Sequence, residues 1–256
     1  MTALSFAVFG AGGLVVAVLF VLLLPLPRRV RQRIARGVNR VLFRSFLRFM
    51  AFVGVLDLDI DRRGLAALGS AGGRVIVANH PTLLDVVVLL GYVEQANCVV
   101  KRGVRRNPFM AAAVTAANYI PNENLEQLLR DSAAALARGE ALIVFPEATR
   151  SVPGEPLRLQ RGAASIALHS DAVVDVVHLR CEPVFLTKAQ PWYGVPDRRP
   201  CLAARVGASL RAREYLRGGA SRGVAARRLT EALQEQLTKG VPFDAGAGAG
   251  AQKAAH

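Results

Sequence analysis

The chain is poor in cysteine, histidine and aromatic side chains. Its 256 residues include three cysteines, four histidines and 6% aromatic residues. The odd number and wide spacing of Cys98, Cys181 and Cys201 exclude a disulfide framework and a zinc-finger pattern, and they are typical of a reducing cytosolic setting. A mean hydropathy of +0.29 with 20% charged residues excludes a disordered chain and a polytopic transporter. The length suits one α/β domain.

Acidic residues are scarce relative to basic ones. The chain has 33 basic and 19 acidic side chains, which gives a formal net charge of +14. Only four of the basic residues are lysines, and the rest are arginines. This excess predicts an anionic partner, which could be nucleic acid, anionic lipid or a phosphorylated substrate. The alternative is that part of the excess is the background composition of a chain rich in Arg, Ala and Gly.

The first 27 residues carry no charged side chain. At about 1.5 Å per residue, a helix over residues 3–24 would be roughly 33 Å long, which matches a bilayer core. We therefore predict a retained transmembrane anchor over residues 1–27. The alternatives are a buried core helix and a signal peptide, but a signal peptide would begin with basic residues. The arginines after the segment predict a single pass through the cytoplasmic membrane, with the following domain on the cytoplasmic side.

Residues 28–55 predict a basic amphipathic helix. Arginine recurs every four residues at Arg36, Arg40, Arg44 and Arg48, with apolar residues between them. We expect this helix to lie at the membrane interface, with arginines toward lipid phosphates and phenylalanines toward acyl chains. The alternative is a helix packed on the following domain, with its arginine face in water.

The remaining chain alternates short apolar runs with helical patterns. This order predicts an α/β fold with a mostly parallel sheet covered by helices, over residues 56–243. Residues 244–256 predict a disordered tail. Ligands bind at the carboxyl ends of the strands in such sheets. We predict strands at residues 74–79, 98–101, 118–120, 141–145 and 173–179, and helices at residues 83–94, 108–117, 124–138, 160–169 and 221–239.

A first cluster of polar residues, NHPTLLD (residues 79–85), follows a predicted buried strand. Residues five apart do not share a face of a helix, but a turn can bring His80 and Asp85 together. A carboxylate on one imidazole nitrogen fixes the tautomer and leaves the other nitrogen free to accept a proton. The alternative is a capping histidine and an aspartate at the start of a helix.

A second cluster, FPEATRS (residues 145–151), also follows a buried strand. Arg150 could bind a phosphate through two hydrogen bonds. Glu147 could hold a hydroxyl or orient the arginine. The alternative is a structural pair of Glu147 and Arg150 that stabilises the loop.

Together, the two clusters resemble the glycerolipid acyltransferase family, the lysophosphatidic acid acyltransferase-like enzymes. The resemblance covers about residues 74–187. It implies that His80 is the catalytic general base and that Asp85 orients it. It also implies a lipid acceptor, acyl-CoA or acyl carrier protein as co-substrate, a membrane partner, and no metal, cofactor or nucleic acid. The substrate-binding residues implied by the resemblance are Asn79, Lys101, Glu147, Thr149 and Arg150.

The chain departs from the family pattern in two places. Ala148 replaces the usual glycine of the second cluster, and the block AANYIPN (residues 116–122) lacks the phosphate-contacting arginine found in many members. Residues 181–193 look more like a branch associated with specialised lipid or aryl-polyene pathways.

We therefore predict a membrane-anchored O-acyltransferase of phospholipid biosynthesis that acts on a lysophosphatidic acid-type acceptor. An alternative is an enzyme for a lyso-ornithine lipid or an aryl-polyene or other secondary lipid. A different class is a non-catalytic basic membrane-binding adaptor. Nucleic-acid binding is disfavoured because aromatic residues do not interleave with the basic ones.

Overall fold

The strands form where short runs of apolar residues lie between polar or glycine-containing turns. A computed structural model describes residues 20, 23, 25–101, 103–104, 108–152, 154–187 and 196–240. The central strands VIVA and ALIV are wholly buried, as expected for strands covered on both faces. The described strands are β1 (Asp57–Ile60), β2 (Val75–Ala78), β3 (Ala96–Val100), β4 (Ile120–Pro121), β5 (Ala141–Val144), β6 (Val173–Glu182) and β7 (Cys201–Arg211).

These strands form one sheet in the order β1-β7-β6-β2-β5-β3-β4. Strands β6, β2, β5, β3 and β4 run parallel to one another. Strand β7 is antiparallel to β6, and β1 is parallel to β7. The carboxyl ends of the five parallel strands therefore share one side of the sheet, which we call the carboxyl edge.

Helices cover both faces of the sheet. Helices α1, α2, α3 and α4 pack on one face, and α5, α6 and α7 pack on the other. Side-chain caps begin three of the described helices, since Asp61 accepts the Gly64 N–H, Asn124 accepts the Gln127 N–H and Ser221 accepts the Val224 N–H. Their bounds are α1 (Arg28–Phe52), α2 (Arg62–Ala71), α3 (Asp85–Tyr92), α4 (Pro108–Ala117), α5 (Leu125–Ala137), α6 (Gly162–Ser170) and α7 (Arg222–Lys239), with a 3₁₀ helix (Ala212–Gly219) before α7.

Strand β2 shows how the two cores form. Its alternate residues point to opposite faces, so Ile76 enters the core beneath α1 and α3, whereas Val75 and Val77 enter the core beneath α6 and α7. Because both faces are covered by helices, all of these side chains leave water and stabilise the fold by burial. The predicted α/β class with a mostly parallel sheet is confirmed.

Helix α1 is present as predicted, but Arg36 and Arg40 face the domain. Arg36 is buried, and its Nε donates to the carbonyl of Ala117 at 3.0 Å. Its Nη1 lies 2.9 Å from Glu140, and Arg40 pairs with Glu94 at 2.6 Å. These contacts contradict the prediction that Arg36 and Arg40 face lipid phosphates, and equally the alternative of an arginine face in water. The reason is that Glu94 follows α3 and Glu140 precedes β5. Each of these carboxylates neutralises an arginine guanidinium that points toward the domain.

The outer face of α1 combines exposed apolar side chains with the exposed Arg33 and Arg48. The Arg44 guanidinium lies over the Tyr92 ring, 5.0 Å from its centroid, so this arginine also turns inward. Val30, Ile34 and Val41 are exposed and lie on the opposite side of the helix. The side of the helix that meets the domain also buries apolar residues such as Phe46, so the predicted contact of this phenylalanine with acyl chains is wrong.

The described part of the chain contains no helix that is both long enough and apolar enough to cross a membrane. The predicted anchor over residues 1–27 lies outside the described residues except for Phe20, Leu23 and residues 25–27. The predicted tail over residues 244–256 also lies outside them. Both stay predictions.

Candidate active site

The carboxyl edge brings together polar residues that follow three parallel strands. His80 follows β2, Lys101 follows β3, and Glu147 follows β5. The two sequence clusters are in direct contact there, because the Ser151 N–H donates to the carbonyl of His80 at 2.8 Å. The edge therefore joins segments that are more than sixty residues apart in the sequence.

His80 and Asp85 form a hydrogen-bonded pair. Asp85 is the first residue of α3 and is completely buried, and its Oδ2 lies 2.8 Å from His80 Nδ1. An ionised carboxylate can only accept, so Nδ1 carries the proton and Nε2 keeps its lone pair. The His80 ring packs on Phe145 with 4.4 Å between the ring centroids. The turn over residues 81–84 thus produces the predicted pairing across five positions.

Thr82 supplies two further donors to Asp85. Its N–H donates to Oδ2 at 2.6 Å, and its hydroxyl donates to Oδ1 at 2.9 Å. Burial raises the pKa of Asp85, and the hydrogen bonds from His80 and Thr82 oppose that rise. Sequence reasoning missed Thr82. The pattern Thr-x-x-Asp at a helix start is close to a capping box and could have indicated it.

The second cluster holds the main chain of His80. Glu147 Oε1 accepts the His80 N–H at 2.8 Å and the Ser151 hydroxyl at 2.9 Å. With the bond from Ser151 N–H, both backbone groups of His80 are fixed by this loop. The implied substrate-binding role of Glu147 stays a prediction, and the geometry adds a role in placing the histidine.

The side chains of Arg150 and Asn79 form hydrogen bonds with main-chain groups. Arg150 Nη1 donates to the carbonyls of Leu186 and Thr187, each at 2.8 Å, and so fixes the segment after β6. The Asn79 amide donates to the carbonyl of Leu179 at 2.7 Å and accepts its N–H at 2.8 Å. These contacts extend the pairing of β2 with β6 up to His80.

The remaining predicted contacts are open to solvent. Lys101 and Thr149 are both exposed at the carboxyl edge. The block that lacks the family arginine ends at the same edge, where the Asn122 N–H donates to the carbonyl of Val100 at 2.9 Å. The substrate-binding roles of Asn79, Lys101, Thr149 and Arg150 stay predictions.

An α/β sheet with a histidine–aspartate pair at its carboxyl edge defines a protein equipped for general-base chemistry. Residues 59–179 match the family model described as Acyltransferase. This chain also resembles a 1-acyl-sn-glycerol-3-phosphate acyltransferase of Helicobacter pylori (strain J99), with 32% identity over 112 residues that cover 40% of this chain and 47% of that protein. These similarities agree with the resemblance to the glycerolipid acyltransferase family that the two clusters predicted.

One further curated protein is similar in sequence, and one solved structure is similar in fold. A 1-acyl-sn-glycerol-3-phosphate acyltransferase of Pseudomonas aeruginosa is 27% identical over 111 residues, which cover 41% of this chain and 43% of that protein. The matched region therefore spans less than half the length of these curated relatives. The crystal structure of the 1-acyl-sn-glycerophosphate acyltransferase PlsC from Thermotoga maritima shares the fold, with a TM-score of 0.56 and 19% identity over 83% of this chain and 81% of that one.

Proposed function

We propose that the protein is an O-acyltransferase that moves a fatty acyl group from a thioester donor to a hydroxyl of a lysophosphatidic acid-type lipid. The observation that carries this proposal is the pair of His80 and Asp85, held at 2.8 Å at the carboxyl edge. The names of the curated relatives support the same reaction. Acyl-CoA and acyl carrier protein both supply the required thioester.

The pair suits direct transfer between donor and acceptor. His80 Nε2 takes the proton of the acceptor hydroxyl while the oxygen attacks the thioester carbonyl, which forms the new C–O bond. Asp85 stabilises the resulting imidazolium through Nδ1. When the intermediate collapses, the C–S bond breaks and the leaving thiolate receives the proton from His80. Holding donor and acceptor in line removes the need for a covalent acyl-enzyme.

A specialised acceptor is the second candidate. The block that ends at Asn122 lacks the arginine that many family members direct at phosphate. The Nη1 of Arg150, a predicted phosphate ligand, is bonded to two main-chain carbonyls. Lys101, exposed after β3, is then the better-placed cation for an anionic headgroup. An acceptor without a phosphate monoester, such as a lyso-ornithine lipid, agrees with these observations.

The outer face of α1 supports a location at the cytoplasmic membrane. Val30, Ile34 and Val41 form an exposed apolar strip, and the exposed Arg33 and Arg48 lie on the same helix. Such a helix lies in the interface, with apolar side chains among the acyl chains and arginines near the phosphates. This placement would bring the lipid acceptor to the domain. A non-catalytic membrane-binding adaptor would need only this face of α1, and the His80–Asp85 pair would have no role in it.

The proposal is tested by labelled acyl transfer with detergent-purified full-length protein. Acyl-CoA and acyl carrier protein are offered as donors, and lysophosphatidic acid and lyso-ornithine lipid as acceptors. Labelled phosphatidic acid supports the first acceptor, whereas label only in ornithine lipid selects the second. No labelled lipid with any combination would contradict the enzymatic assignment and favour the adaptor.

A further inference from the structure

Thr82 is a buried polar residue beside the proposed general base. It is 0% exposed, and it lies within the turn that links His80 to α3. Its hydroxyl donates to Asp85 Oδ1 at 2.9 Å and accepts the Leu84 N–H at 3.1 Å. Each hydrogen bond of this side chain therefore serves Asp85 or the turn that carries it.

The two oxygens of Asp85 are held separately. Oδ2 accepts from His80 Nδ1 and from the Thr82 N–H, whereas Oδ1 accepts from the Thr82 hydroxyl. Bonds at both oxygens oppose rotation of the carboxylate about its bond to Cβ. The oxygen that faces His80 thus stays in the plane and at the distance that a hydrogen bond requires.

Because Asp85 is buried, these donors affect the charge of its carboxylate as well as its orientation. A buried carboxylate stays ionised only if hydrogen-bond donors replace the water that it has lost. His80 supplies one donor and Thr82 supplies two. The N–H and O–H dipoles of Thr82 point toward the Asp85 carboxylate and therefore favour its ionised form. With Asp85 ionised and His80 neutral, His80 can accept a proton from the substrate.

We propose that Thr82 is a positioning residue for acyl transfer, which fixes the Asp85 carboxylate through both oxygens so that Asp85 holds His80 ready to accept a proton. The Thr82 hydroxyl and N–H form their hydrogen bonds with Asp85 and the Leu84 N–H, so Thr82 acts on His80 through Asp85. The expected effect of Thr82 on turnover rests on the proposed function, whereas its expected effect on Asp85 does not.

The test compares Thr82→Val, which keeps the side-chain shape and removes the hydroxyl, with Thr82→Ser, which keeps the hydroxyl. In Thr82→Val we expect kcat to fall about 5- to 100-fold, because Asp85 Oδ1 and the Leu84 N–H both lose their hydrogen-bond partner. KM for both substrates should change little. The acid limb of the kcat/KM profile should move to higher pH, because Asp85 gains a proton more readily. Thr82→Ser should restore kcat and the profile.

A second readout does not depend on turnover. Protein labelled with ¹³C at the aspartate carboxyl carbon is titrated by NMR, and the Asp85 signal is assigned from its absence in Asp85→Asn. We expect the pKa of Asp85 to be higher in Thr82→Val than in wild type or Thr82→Ser. If Thr82→Val does not fold, Thr82→Cys, with a weak S–H donor, should show a smaller shift in the same direction.

The outcomes separate the two proposals. An unchanged Asp85 titration in the folded variant, or equal losses of kcat in the valine and serine variants, would overturn the role of Thr82. A wild-type protein that transfers no acyl group to any acceptor would overturn the proposed function. In that case the NMR titration would still decide whether Thr82 controls Asp85.

Discussion

Ala148 adopts a backbone conformation that favours glycine. Its φ is +57°, in the left-handed region, and the family pattern has glycine at this position. A non-glycine residue there costs about 1–2 kcal/mol. The conformation belongs to the turn that directs Glu147 toward the His80 N–H, so the strain lies in the loop that holds the proposed general base. The sequence revealed the departure from glycine, but only the structure shows that the position needs a positive φ.

Replacing Ala148 with glycine should therefore stabilise the protein. We expect Ala148→Gly to raise the free energy of unfolding by about 1 kcal/mol, because the relief of strain exceeds the extra entropy of glycine in the unfolded chain. Denaturant unfolding measures the change. Ala134→Gly, at an exposed position in α5, is the matched control and should lower the free energy by about 1 kcal/mol. Equal destabilisation by both variants would contradict strain at Ala148.

At the scale of elements, a buried ion pair holds α1 on the domain. Arg36 and Glu140 are almost fully buried, and Glu140 also accepts from Asn97 and Arg138. Burial alone would raise the pKa of Glu140. The bonds from Arg138 and Asn97 and the charge of Arg36 outweigh it, so this pKa lies below its ordinary value. The ionised carboxylate is therefore part of what holds α1 in place.

Removing this carboxylate should destabilise the fold and change its response to acid. We expect Glu140→Gln to lower the free energy of unfolding by about 3 kcal/mol, because Arg36 is left buried without its counter-charge. The contribution of Glu140 is complete above its ordinary pKa of 4.5 and is lost as pH falls through the lower pKa of the folded state.

Unfolding measured from neutral to acidic pH tests this account of Glu140. Wild type should lose stability more steeply below pH 4.5 than Glu140→Gln does. Glu126→Gln, which breaks an exposed i,i+4 pair with Arg130, is the control and should change stability by less than about 1 kcal/mol. Parallel pH curves for wild type and Glu140→Gln would contradict the role of this carboxylate.

The same elements show what a sequence can predict. The buried strands β2 and β5 and helix α5 follow from apolar runs, periodicity and the Asn124 cap, and the structure places them within two residues of the predicted bounds. The orientation of α1 could not be predicted, because Arg36 and Arg40 form ion pairs with glutamates that are distant in the sequence, Glu140 and Glu94. Periodicity identifies two faces of a helix, but it does not say which face meets a partner.

The candidate site was predictable to a similar extent. The two clusters follow parallel strands, so a shared location at the carboxyl edge and the His80–Asp85 pair could be foreseen. The contacts of Glu147, Asn79 and Thr82 with the main chain or with Asp85 could not, because they depend on loop geometry. Strand β1 was also missed, since its half-buried sequence DLDI carries two aspartates at the end of the sheet.

At the scale of the whole molecule, the net charge of +14 and the exposed apolar residues of α1 suit an anionic membrane surface. An environment-sensitive fluorophore attached at Val41→Cys should report this contact. Val41 is 63% exposed on α1, and Leu125 is 59% exposed at the start of α5. We expect vesicles of phosphatidylglycerol and phosphatidylethanolamine to raise the emission of the label at residue 41. The label at Leu125→Cys, on the other face of the sheet, should respond little.

The label at residue 125 also controls for general changes in the protein. Two native cysteines are buried and the third is half-buried, so the introduced cysteine is the more reactive position. Equal responses at residues 41 and 125 would contradict a membrane contact through α1. A response at residue 125 alone would place the membrane on the face covered by α5.

The most direct test of the central claim compares two histidine variants in the acyl-transfer assay. His80→Gln removes the proposed base at the carboxyl edge, whereas His169→Gln changes an exposed histidine of α6. We expect the first variant to lose at least about 100-fold in kcat while remaining folded, as for removal of a general base, and the second to keep wild-type turnover. Turnover by folded His80→Gln equal to that of His169→Gln would contradict general-base catalysis by His80.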